Sequence, residues 1–405
     1  MRVENLSLAN FRNYRVAELP LGEGPQLIIG RNGQGKTNLV EAISYFDSLS
    51  SHRVSNDAPL IRAGEDSAVI RMRVAVGDRE VSLELEFHRG KPKRAQVNGQ
   101  AVKPREIMRW FTSVVFAPED LMIARGEPNS RRGFLDAAIV THNPAMELVY
   151  RDYDRVLKQR NSLLKSVRQG ASRSSVAAML PLWNEQLIGF GTRIIAERRA
   201  LIEALTPRVA EAYQLLVEND HRPTLQLEET MSEGVWIPVN VSRETLIRDS
   251  EVLSDVSRET LTEAFTETLR KYEAAELDRG VTLVGPHRDD LLLHLNDLPV
   301  KGFASHGETW SFVLSLRLAL AGLLRDESFT GDPVVILDDV FAELDSRRRQ
   351  QLMAAVGDYE QIIVTAAVAE DIPDTVPWNV AQVAAGEVIA HSQSMQSVLS
   401  VGEGQ

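Results

Sequence analysis

The sequence predicts an α/β protein: a mixed or parallel sheet covered by helices and interrupted by a mainly helical insertion. Three observations predict it. The apolar runs "GPQLIIG" and "PVVILDDV" read as buried strands, and helical patterns adjoin them. A glycine-rich loop, "GRNGQGKT", joins the first run to its helix. An Asp pair closes the second run about three hundred residues later, more than one such domain usually spans, so a second lobe lies between the halves.

The elements follow in order. "RVENLSLANF" alternates like a strand and ends in a turn at Arg12-Asn13. "TNLVEAISYF" carries apolar residues at helical spacing, and residues 67–88 read as a hairpin turning at Gly77-Asp78. "TSVVFAPEDL" is a strand that stops at Pro118. From about Glu127 to Glu276 the pattern is mostly helical, and Pro144, Pro181, Pro207, Pro223 and Pro238 break it into modest pieces. No heptad seam is sustained across those breaks, so no long coiled coil is expected. "VSRETL" occurs at 241–246 and again at 256–261, a local duplication in a surface insertion. Strand patterns return over 280–300, then comes a strong helix, "TWSFVLSLRLALAGLLRDE", and the strands "PVVILDDV" and "QIIVTAA".

A chain of 405 residues holds about two or three domains. The absence of cysteine excludes disulfides, thiolate metal sites and a Cys nucleophile. The N-terminus lacks the apolar stretch of a signal peptide, and "LRLALAGLL" is too short to span a bilayer, so a soluble protein with no membrane role of its own is expected. The net charge of −12 disfavours nucleic acid as a partner on average. Two segments run against it: His88–Arg109 has seven Lys or Arg and one Glu, and Arg151–Arg173 has seven Lys or Arg and two Asp. With Arg131-Arg132 and Arg198-Arg199 they are the clearest positive surfaces, suited to sequence-independent phosphate contacts.

Gly30, Arg31, Asn32, Gly33, Gln34, Gly35, Lys36 and Thr37 fit G-x-x-x-x-G-K-[ST]. The glycines let backbone amides approach phosphate oxygens, and the helix N-terminus behind them adds a favourable dipole. Lys36 is expected to reach the β- and γ-phosphates and the Thr37 hydroxyl to ligate Mg²⁺; Asn38 completes the segment. Asp338, at the end of an apolar strand, is the expected metal carboxylate, and Asp339 the acid that polarises the attacking water. Asp339 is one methylene shorter than Glu, which predicts a loosely held water and a slow ATPase. Ser305, Gly307 and Glu308 precede a long helix. They read either as its N-cap or as a signature loop offering a hydroxyl and backbone amides to the γ-phosphate of a second subunit. "AELDSRRR" then follows as a loop whose Asp345 crosses the same interface.

With these residues in place, the chain resembles the RecF family, within the ABC-type ATPases related to SMC proteins. The resemblance is carried by "LSLANFRNY", "IIGRNGQGKTNLVEAI", "VVFAPEDL", "RRGFLD", "GPHRDDL", "ASHGETWS" and "ILDDVFAELD", in the family's order from residue 6 to 345. It departs in the signature, usually S-Q-G-Q followed by a basic residue, and in a longer 228–262 region. The resemblance implies an ABC-type ATPase domain over 1–118 and 302–390 with an inserted helical lobe over 119–301, and the Ser-, Gln- and Gly-rich tail over 391–405 reads as disordered. It implies ATP and Mg²⁺ as cofactors and an ATP-dependent homodimer around two ATP molecules. It further implies slow, DNA-dependent hydrolysis and binding to double-stranded or ss/ds junction DNA. RecR would be a partner and RecA loading at gaps the outcome, in cytoplasmic recombinational repair, DNA replication and the SOS response. Residue by residue, Gly30 to Thr37 carry over as the P-loop, Asp338 as the metal carboxylate, Asp339 as the water-activating acid and Ser305 to Glu308 as the signature. Arg12 carries over as a contact to phosphate or base, and Pro118–Asp120 as the Q-loop.

Other classes fit less well. An SMC-type structural head needs a long coiled coil, and a transporter ATPase subunit has a much shorter gap between loop and double acid. A P-loop kinase or GTPase lacks the signature, and no N-K-x-D is present to read guanine.

Overall fold

In the computed structural model the apolar runs Val334–Asp338 and Ile362–Ala366 are buried along their whole length. A strand covered on both faces requires this. Described are residues 1–405 other than 52, 55, 219–220, 232–249, 329, 374–375 and 393–405, without side chains at 250–258 and 390–392. Expectations for the tail beyond Ser392 and for the first "VSRETL" therefore lie outside the described residues, and the second copy falls within a helix.

The N-terminal elements are β1 (Arg2–Phe11), β2 (Tyr14–Pro20), β3 (Gln26–Ile29), α1 (Lys36–Ser48), β4 (Ser67–Val76), β5 (Arg79–His88), β6 (Lys91–Val97), β7 (Gln100–Val102) and β8 (Ser113–Phe116). The middle carries α2 (Pro128–His142), α3 (Met146–Arg168), α4 (Arg173–Leu216), β9 (Thr224–Glu228), α5 (Ser250–Arg279), β10 (Asp290–Leu295) and β11 (Leu298–Pro299). Then follow α6 (His306–Glu327), β12 (Val334–Asp338), α7 (Ser346–Val356), β13 (Ile362–Ala366), β14 (Asn379–Ala384) and β15 (Glu387–Ser392).

The chain divides into two compact units. One comprises Met1–Leu121, Arg208–Pro223 and Ala304–Gln405; the other comprises Met122–Pro207 and Thr224–Phe303.

The first unit holds two six-stranded sheets. One, in the order β2-β1-β4-β5-β6-β7, is antiparallel throughout. The other runs β15-β14-β3-β13-β12-β8 and is parallel except at its β15 edge. A shared apolar core joins Val3, Leu6 and Leu8 of β1 to Leu39, Ile43 and Phe46 of α1 and Ile336 of β12. In the parallel sheet β13 lies between β3 and β12. The loop after β3 and the acids at the end of β12 therefore meet at the carboxyl ends of the strands, where ligands of parallel sheets bind.

The second unit is mainly helical, with a three-stranded sheet β11-β10-β9. Its fully buried Arg160 donates to Glu276, Thr282 and Asn184. Here the structure corrects three expectations. Pro181 and Pro207 do not break the helix; both lie inside the 44-residue α4. Each removes one backbone bond and costs about 3 kcal/mol, and the buried row Leu180, Leu187, Ile194, Ile195, Leu201 and Leu205 offsets that cost. No long coiled coil is evident among the described residues, even though Pro181 and Pro207 leave α4 unbroken.

Secondly, the strand expected from residue 280 begins only at Asp290. The backbone before it bonds to side chains instead: the Thr282 amide donates to Asn161 Oδ1 and the Gly285 amide to Thr230 Oγ1. Thirdly, the paired arginines are not free positive surface. Arg131 makes a bidentate pair with Asp290 and Arg199 with Glu229, Arg198 donates through two nitrogens to one oxygen of Asp136, and Arg132 donates to the Asp289 carbonyl.

Candidate nucleotide site

The loop after β3 has the backbone that phosphate binding needs. Gly33 and Gly35 have φ of +79° and +121°, the left-handed region open to glycine. A Cβ on Gly30 would lie 2.3 Å from the Val383 carbonyl oxygen, and one on Gly35 2.6 Å from the Tyr14 hydroxyl. No side chain caps the N-terminus of α1, so its first amides stay open to an anion. The loop is held from outside. The Asn13 amide donates to the Gln34 carbonyl at 3.0 Å, and the Ala385 amide donates to Gln34 Oε1 at 2.5 Å. Arg31 and Asn32 are exposed.

Lys36 is the first residue of α1, and its side chain is only 3% exposed. Its Nζ lies 3.4 Å from Asn32 Oδ1 and 3.6 Å from Asp339 Oδ1. The Thr37 hydroxyl donates to Asp338 Oδ1 at 3.4 Å. The Thr365 hydroxyl, at the end of β13, donates to the same oxygen at 2.6 Å and accepts the Asp339 amide at 2.9 Å. Asp339 has φ +51°, uncommon outside glycine and frequent at functional sites. Residues expected from sequence at positions 30–38, 338 and 339 thus stand together. Thr365 was missed, although "QIIVTAA" was readable as the neighbouring parallel strand.

Asp338 is 2% exposed. Burial pushes its carboxyl up to about 6; Asp339 and Glu119 add to the rise, while hydrogen bonds from Thr365 and Thr37 oppose it. The Thr37 hydroxyl and the Asp338 carboxylate are hard oxygen donors, and a carboxylate buried beside others is one a divalent cation would stabilise. The pair fits Mg²⁺. Without a ligand the linkage has a definite sign. The unfolded chain ionises the group near 3.8 and the folded one near 6, so stability falls as pH rises through that window and is constant above it. Asp338→Asn is expected to stabilise the nucleotide-free protein by roughly 2–3 kcal/mol at pH 7.5 and hardly at all at pH 4. Thermal unfolding across pH measures this, and a variant with the wild-type slope would refute it.

Glu119 belongs to "PED", the expected Q-loop, and its charge acts on Asp338. In the same turn Asp120 accepts a bidentate pair from Arg317 of α6. Arg12 has φ +52°, and its guanidinium is taken by the buried Glu41 and the Pro59 carbonyl. It lines a cavity of about 660 Å³ with Asn13, Asn38, Arg53, Pro59 and Arg89, beside the loop.

The signature residues have other partners. Ser305 N-caps α6, and Ser305 and Glu308 form a reciprocal capping box with distances of 3.2 and 2.7 Å. The N-cap alternative is therefore what the single chain forms. A Cβ on Gly307 would lie 2.9 Å from the Arg348 guanidinium. Arg348 in turn pairs with Asp345, which caps α7. Signature and Asp345 are thus neighbours through Arg348.

The chain matches the RecF/RecN/SMC N terminal domain family over residues 2–378. It is 48% identical to the DNA replication and repair protein RecF of Clavibacter michiganensis subsp. michiganensis (strain NCPPB 382) over 389 residues, 96% of each chain. The chain belongs to the RecF family. A solved structure of the recombination mediator protein RecF-ATPrS in the RecFOR pathway superposes with a TM-score of 0.80 at 28% identity, covering 96% of this chain and 97% of that one. The corresponding RecF-ATP structure gives 0.78 at 28% identity, covering 96% and 99%. The RecF fold, an ABC-type ATPase head related to that of SMC proteins, is therefore the fold of this chain.

Proposed function

We propose that the chain is an ATP-dependent DNA-binding protein of recombinational gap repair, a weak ATPase that works as a DNA-binding switch. One observation carries the reading: Lys36, Thr37, Asp338 and Asp339 converge at the carboxyl ends of β3 and β12. The solved relative described as RecF-ATP supports ATP as the nucleotide.

In this reading the amides of Gly33 to Thr37 hold the triphosphate, with Lys36 on its β- and γ-phosphates. Thr37 and Asp338 would hold Mg²⁺, which offsets phosphate charge when bound. Asp339 orients the attacking water. The Arg12 and Arg53 cavity takes the ribose and base. Ser305, Gly307 and Glu308 of one copy complete the γ-phosphate site of another, with Asp345 beside them. ATP thereby favours a closed dimer, and hydrolysis reopens it. RecR and the RecA pathway are its partners by kinship, and the cytoplasm its place. Among the described residues no helix is long and apolar enough to cross a membrane.

The DNA is double-stranded or a junction, bound through phosphates. On β6 and β7 and the segment after them, Lys91, Arg94, Lys103, Arg105 and Arg109 are exposed. Duplex affinity is expected to be about tenfold or more higher with ATP than without it, and to fall steeply between low and physiological salt. Fluorescence anisotropy measures both. Equal affinity with and without ATP would contradict the switch.

A further inference from the structure

The turn "FRNY" between β1 and β2 is the sequence feature the mechanism uses least. Its polar groups are nearly all engaged. Arg12 is held by Glu41, and Asn13 holds Gln34 and accepts from the Asn38 amide at 2.7 Å, while its carbonyl takes Arg62. Tyr14 is the exception. Its side chain is fully buried, yet its hydroxyl has no hydrogen-bond partner among the described residues. Such a group is costly to bury, so native proteins rarely leave one unmatched.

The position of that hydroxyl gives the reason. It points at the backbone of Gly35, where a Cβ would come within 2.6 Å of it. Asn13 Nδ2 closes the same space from the side, at 2.8 Å from that point. Tyr14 therefore forms the floor beneath the last glycine before Lys36. Gly35, at φ +121°, has a backbone conformation open only to glycine among common residues. The hydroxyl beneath it, unmatched among the described residues, lies within reach of the loop backbone.

We infer that Tyr14 is a positioning residue for the phosphate loop, whose hydroxyl donates to a loop carbonyl oxygen only when a nucleotide draws the loop into its loaded form. This rests on the nucleotide reading above. The bond forms on binding, so it contributes to nucleotide affinity and not to the stability of the empty protein. It serves the loop and not the γ-phosphate, so ATP and ADP gain from it equally.

Tyr14→Phe removes one oxygen and leaves the ring. Two measurements on the full chain test the inference: the melting temperature without nucleotide, and the affinities for ATP and ADP by titration calorimetry with Mg²⁺. The expected result is an unchanged or higher melting temperature, with both affinities weakened about three- to tenfold. Unchanged affinities would overturn it. A lowered melting temperature or failure to fold would also overturn it, because the hydroxyl would then have a partner in the empty protein. Loss for ATP alone would overturn it too, assigning the hydroxyl to the γ-phosphate. If the wild type binds neither nucleotide, the underlying reading fails instead, and the inference with it.

Discussion

Lys36→Ala is expected to weaken ATP binding by about 10- to 100-fold, the value of one hydrogen bond to a charged group. Hydrolysis should fall by about 10²- to 10³-fold. The ammonium is buried and poised between Asn32 and Asp339, 3.6 Å from the latter, at the place proposed for the β- and γ-phosphates. Removing it leaves Asp339 without its ion-pair partner. Lys36→Arg keeps the charge but puts a broader guanidinium in a position only 3% exposed, so it should restore little. Calorimetry with ATP and phosphate release measure the two effects. Wild-type affinity in Lys36→Ala would remove the lysine from the site.

Asp339→Asn should separate binding from hydrolysis. Asparagine tolerates the +51° φ of this position, and the backbone amide keeps its bond to Thr365. Only the charge proposed to polarise the attacking water is lost. Hydrolysis is expected to fall by about 10²- to 10⁴-fold, with ATP affinity within about threefold of wild type. Loss of 3.6 Å competition for Lys36 works in favour of ATP, since the ammonium is then free for phosphate. Single-turnover hydrolysis checks the first effect and calorimetry the second. A variant that hydrolyses ATP normally would move the catalytic acid elsewhere.

The parts of the site that were legible in sequence were those carried by local pattern. A glycine at a forced φ, a lysine at a helix start and an acid at the end of an apolar strand each reveal themselves within a few residues. Thr365 and Tyr14 did not, because their positions beside the loop come from strands packed against it from elsewhere in the chain. The parallel order β3-β13-β12 was the missing information for Thr365. Charge was read least well. Arg131 and Arg198 look like free positive charge in sequence, but their carboxylates lie 159 and 62 residues away. Proline was over-read as a breaker at 181 and 207, where tertiary burial outweighs one lost backbone bond. The signature was read as two alternatives, and the single chain forms the cap. A capping box does not by itself preclude the proposed γ-phosphate contact, since Ser305 stays exposed while it caps the helix.

That second copy is the central claim, and sedimentation velocity of Asp339→Asn tests it most directly. With ATP, Mg²⁺ and duplex DNA the variant should sediment as a dimer, and without nucleotide as a monomer. Lys36→Ala should remain monomeric throughout. A monomeric Asp339→Asn under every condition, with ATP bound, would contradict the account.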